Sequence, residues 1–86
     1  MARQVILLPQ AQKDLDEIYD PLFSKIIERL ELLREFPDLG VPLGGPFLGY
    51  HSTVVEFFRI IYKVTIYGHI EVAYVRHCSR RPPEAR

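Results

Sequence analysis

The chain has 86 residues, with 11 Lys/Arg against 11 Asp/Glu, 48% hydrophobic residues and one cysteine. That length supports one small domain burying only about 60–65% of its unfolded surface, and the lone Cys78 excludes an internal disulfide. No stretch approaches the roughly 20 apolar residues of a membrane span, and the run before Pro9 is too short for a signal-peptide core, so the sequence reads as cytoplasmic, with no membrane partner.

Residues 4–8 are a short apolar run stopped by Pro9, the pattern of a buried or edge strand. From 11 to 19, Ala11, Leu15, Ile18 and Tyr19 recur at helical spacing, opposite Lys13, Asp14, Asp16 and Glu17. Asp20-Pro21 then breaks and restarts the chain, since Asp accepts from free helix amides and Pro fits the first helical position. A second helix is predicted over 22–35, striped by Phe23, Ile26, Ile27, Leu30 and Leu33. Residues 36–49 hold three prolines and four glycines, which argues against helix or central strand and reads as a long connecting loop. Three strands follow, over 50–55, 57–64 and 70–76, and Gly68 supplies the positive φ of the second hairpin turn. The polar, proline-rich tail over 82–86 is expected to be disordered. The order β-α-α-β-β-β predicts one α+β domain over 1–86, a helical hairpin packed on one face of a mainly antiparallel sheet.

Charge is unevenly spread along this order. Residues 1–49 carry five Lys/Arg and eight Asp/Glu, whereas residues 50–86 carry six and three. The helical half is therefore acidic and the strand half basic, so an anionic ligand is expected to meet the sheet. Strand periodicity puts Arg59 and Lys63 on one face, roughly 13 Å apart along the strand. The last strand runs into Arg76, His77, Arg80 and Arg81. Guanidinium forks bind phosphate bidentately and keep their charge, and a histidine beside them is the natural acid or base near neutral pH. No Gly-rich phosphate loop, Ser/His/Asp set or metal-ligand spacing occurs in the sequence, so neither cofactor nor metal is expected.

The segments VILLPQAQKDLDEI, FPDLGVPLGG, FFRIIYKV and IEVAYVRH, in this order from Val5 to about Arg81, resemble the RelE/ParE superfamily of type II toxin–antitoxin toxins. The resemblance implies the same fold and a cognate antitoxin that wraps the toxin and covers its active surface. RelE-like members cut messenger RNA in the ribosomal decoding site without metal, whereas ParE-like members poison DNA gyrase. On the first pattern, Arg59 matches the arginine of the aromatic-Arg-aliphatic-aliphatic-Tyr strand that contacts the scissile phosphate. His77 is then the acid/base candidate, and His51 a second base in the stretch where the nucleases often place lysines. Arg76, Arg80 and Arg81 would bind RNA phosphates, Lys63 would steer neighbouring backbone, and Tyr50 would stack on a base. The family lysine pair is absent, and Cys78 or Ser79 stands where one branch has a catalytic arginine. The expected function is ribosome-dependent, metal-free cleavage of ribosome-bound mRNA. The alternatives are a gyrase poison without nuclease activity, or a degenerate toxin that only binds its antitoxin.

Overall fold

The computed structural model describes residues 3–79. Strand β1 (Val5–Leu7) leads into helices α1 (Pro9–Asp16) and α2 (Leu22–Glu35). A 3₁₀ turn at Pro37–Leu39, the two-residue strand β2 (Val41–Pro42) and a second 3₁₀ turn at Gly45–Phe47 follow. Strands β3 (His51–Val55), β4 (Phe58–Val64) and β5 (Ile70–His77) complete a five-stranded sheet of order β1-β5-β4-β3-β2. Only β1 runs parallel to its neighbour; every other pair is antiparallel. The predicted α+β order is the observed one. Arg80, Arg81 and the tail over 82–86 lie outside the described residues.

Alternation along β4 sends Phe58, Ile60, Tyr62 and Val64 beneath the helices. There they meet Ala11 and Leu15 of α1, Ile26, Leu30 and Leu33 of α2, and Ile70, Val72 and Val75 of β5. Arg59, Ile61 and Lys63 consequently point to the second face. Asp20 does restart the chain as predicted, its Oδ1 accepting from the Ser24 amide at 3.0 Å and from the Ser24 hydroxyl at 2.6 Å.

Three departures from expectation have physical causes. Pro9 opens α1 as well as ending the strand, because a missing amide costs nothing in the first helical turn. The helix closes at Asp16, where the Glu17 and Ile18 amides bond back three residues to Asp14 and Leu15. Tyr19 therefore leaves the apolar stripe and is 80% exposed. Within the proline-rich connection, Val41 and Pro42 pair with Ser52 and His51, giving the sheet a short edge that proline tolerates.

That connection is tied to the sheet by one buried phenol. The Tyr62 hydroxyl accepts from the Gly40 amide at 2.9 Å and donates to the Pro37 carbonyl at 2.7 Å. Tyr62→Phe is expected to cost about 1–3 kcal/mol, since both backbone groups lose their partner under cover; thermal melting measures it. Burial raises the Tyr62 pKa above its ordinary 10.0, the Gly40 hydrogen bond opposing and nearby Asp38 adding to the rise. The unfolded chain then loses this proton first. The phenol's stabilising contribution is fully present below about pH 10 and drains away as pH rises beyond it. Alkaline unfolding should therefore be steeper in the parent than in Tyr62→Phe.

The end of β1 has a further consequence. Leu7 stands opposite Val72, so β5 continues beyond its parallel partner. The Val75 amide on that bare edge donates instead to Asp14 Oδ2 of α1 at 3.0 Å. Helical periodicity alone puts Asp14 among the solvated acids; the sheet edge turns it into a cap. Among the described residues, no helix is long and apolar enough to cross a membrane.

Candidate functional site

The second face of the sheet carries the chemistry. Antiparallel register sets Arg59 of β4 directly opposite Arg76 of β5, with Val54 of β3 completing the row. Directly opposed side chains have Cβ atoms about 4.5–5.5 Å apart, and like charges there destabilise a sheet. Both guanidinium Nε atoms are buried without a hydrogen-bond acceptor among the described residues. Arg76 has partial compensation, its Nε standing 3.8 Å from Asp14 Oδ2. Arg59 has no carboxylate partner among the described residues, because Glu56 pairs with Lys25 and Glu71 with Lys63. A positive pair retained at an energetic cost, with donors unspent, is suited to an anion.

Asp14 thus serves both the fold and this face. It caps β5, accepts from the Gln10 side-chain Nε2 at 2.9 Å and faces Arg76. Asp14→Ala is expected to cost about 1–3 kcal/mol for the orphaned Val75 amide, and to loosen Arg76. Chemical denaturation and anion affinity would read the two effects.

One step along the same face lies an aromatic cluster. Phe47, from the second 3₁₀ turn, meets Tyr50 edge to face at 6.0 Å and Tyr74 of β5 at 6.3 Å. Lys63 stands over the Tyr50 ring at 5.4 Å, and Arg76 over the Tyr74 ring at 5.2 Å. Lys63 also pairs with Glu71 at 3.7 Å. Ile61 is only 2% exposed yet lies outside the helix-side core, which shows that this second face is partly roofed. Arg59, Arg76, Lys63 and Tyr50 are therefore brought onto one surface.

The two histidines are not. His77 pairs with Phe58, on the helix side of the sheet, stacked on Phe57 at 6.3 Å and edge-on to Phe58 at 5.3 Å. Its Nδ1 stands 3.1 Å from the Ser79 amide and 2.7 Å from the Ser79 hydroxyl. With Asp14, Glu17, Ser79 and Arg76 itself, it borders a polar cavity of about 370 Å³ at the end of β5. His51 pairs with Tyr62 and stacks on it at 5.4 Å, again on the helix side, its Nδ1 buried and without a hydrogen-bond partner among the described residues. Alternation explains both placements: residues 76 and 77 cannot share a face, and 51 and 59 sit at opposite parity of the ladder. Arg80 and Arg81 lie outside the described residues. Cys78 is free and exposed.

Sequence reasoning missed Phe47, Tyr74 and Asp14. Tyr74 carried a signal, since it shares strand parity with Arg76. Phe47 carried none, because nothing local indicates that a Gly/Pro-rich turn folds back over the sheet.

Residues 5–82 match a protein family described as the ParE toxin of type II toxin–antitoxin systems, parDE. Among solved structures, the chain is similar to the RelBE2 toxin–antitoxin complex of Mycobacterium tuberculosis, at 20% identity and a TM-score of 0.80, covering 90% of this chain and 99% of that one. It is similar to the intact RelBE complex of E. coli, at 17% identity and a TM-score of 0.77, covering 92% and 100%. The chromosomal ParDE system of P. aeruginosa matches at 18% identity and a TM-score of 0.70, covering 88% and 96%. At such identities the likeness establishes a common fold. No curated protein sequence matches the chain.

Proposed function

Because the chain belongs to the ParE toxin family of type II toxin–antitoxin systems, we propose that it is a growth-inhibiting toxin whose Arg59–Arg76 face grips messenger RNA on the ribosome and promotes its cleavage. The observation that carries this reading is the cross-strand guanidinium pair with its unspent Nε donors. In such a cleavage the ribose 2′-oxygen loses its proton to water and attacks the adjacent phosphorus. The bond to the 5′-oxygen breaks, leaving a 2′,3′-cyclic phosphate and a 5′-hydroxyl protonated by water, and charge accumulates on the phosphoryl oxygens on the way. Arg59 and Arg76 would neutralise it bidentately, while Tyr50 and Tyr74 align the strand by stacking. Without an imidazole on this face, rate would come from charge stabilisation and in-line positioning. The antitoxin present with the structural relatives supports a cognate antitoxin here.

His77→Ala is accordingly expected to keep its growth inhibition within a few-fold of the parent, whereas loss of Arg59 removes it. Colony counts after induction check the contrast.

A second reading, poisoning of DNA gyrase, is favoured by one observation: both histidines lie on the helix side. Induced expression with parallel labelling of protein and DNA synthesis separates the two. Early arrest of protein synthesis with DNA synthesis continuing supports the RNA reading. Early arrest of DNA synthesis with gyrase-dependent breaks supports the other.

A further inference from the structure

Beside the guanidinium pair lies a cavity of about 370 Å³, walled by Pro9, Pro46, Phe47, Tyr50 and Tyr74 and floored by Ala73. Its volume is at the small end for ligand sites, suited to a single ring system. A bulge creates the floor: Ile61 pairs with Tyr74 while Tyr62 pairs with Val72, so Ala73 is the extra residue, and its methyl group leaves room above it. Leu8 and the polar Gln10 complete the lining, and no charged side chain among the described residues lines it. Cations stand immediately outside, Lys63 over Tyr50 and Arg76 over Tyr74.

An aromatic slot with cations at its rim is the arrangement that holds single-stranded nucleic acid, the rings taking a base and the cations its backbone. We propose that this cavity is a subsite for one unpaired nucleobase of the RNA strand whose phosphates Arg59 and Arg76 hold. The proposal rests on the RNA reading and adds to it a position along the strand where the base, and not only the phosphate, is bound. A paired base stays stacked within its helix and does not enter. The competing role is packing alone, with Phe47 and the tyrosines serving only to roof Ile61.

The test uses the intact protein and ribosomes programmed with a short message in which one abasic nucleotide replaces each position of the decoding-site codon in turn. Co-sedimentation of the toxin and cutting of the message are both measured. The subsite predicts that one abasic position weakens retention about tenfold or more, that the others change it little, and that Phe47→Ala erases the difference. The abasic series on the unaltered protein decides the matter even where Phe47→Ala fails to fold. Equal retention and cutting at all three positions overturns the base subsite and leaves the arginine reading standing. Failure to engage the intact message overturns both.

Discussion

Arg59→Ala is expected to abolish growth inhibition while leaving the fold intact. Removing one preorganised donor from a site of developing charge typically costs about 10²–10³ in rate, enough to turn a toxic protein into a tolerated one. Stability should move the other way or not at all. Arg59 faces Arg76 across the ladder and has no carboxylate partner among the described residues, so its removal relieves repulsion worth roughly 0.2–1 kcal/mol. Arg59→Lys retains the charge but loses the planar fork, and should fall between the two. Growth curves after induction, paired with melting curves of purified variants, provide both readings. A destabilised Arg59→Ala protein would show that the side chain belongs to the fold instead.

Gly40→Ala is expected to be the most destabilising small substitution in the chain. An added Cβ would lie 2.6 Å from the Tyr62 hydroxyl and 2.8 Å from the Ser52 carbonyl oxygen. The second of these is backbone and cannot swing aside. Relieving the overlap means moving the connection off the sheet, at about 1–3 kcal/mol for overpacking and a similar amount for the disturbed Tyr62 hydrogen bonds. In a domain of this size each kcal/mol moves the melting temperature by about 4–8 °C, so a fall of 10 °C or more is expected. Gly44→Ala is the control: nothing lies within 4 Å of its added Cβ, and its effect should stay within about 0.5 kcal/mol. Equal melting temperatures for the two variants would show that the clamp carries no weight.

Much of this arrangement was legible before any coordinates. The stripe Ile26, Leu30 and Leu33 lies buried on the sheet as helical spacing predicts, and alternation correctly separates Arg59 from Ile60. Parity within one strand is a local property, and the pleat enforces it. Relations between strands are different, because they depend on register, and one residue of register decides which face a side chain shares. His51 illustrates this: only its pairing with Tyr62 puts it on the helix side, away from Arg59. Phe47 and Asp14 depend on longer-range events, a turn folding over the second face and a helix lying along a bare strand edge. Neither leaves a periodic signature. The β5 bulge at Ala73 is likewise a property of the pairing, not of either strand read alone.

The most direct test is cleavage of a defined message on translating ribosomes by purified protein, with the cut ends mapped. The parent and His77→Ala should cut within the codon held in the decoding site, and Arg59→Ala should leave the message whole. An intact message at concentrations of the parent that stop growth, or undiminished cutting by Arg59→Ala, would contradict the assignment of the guanidinium face.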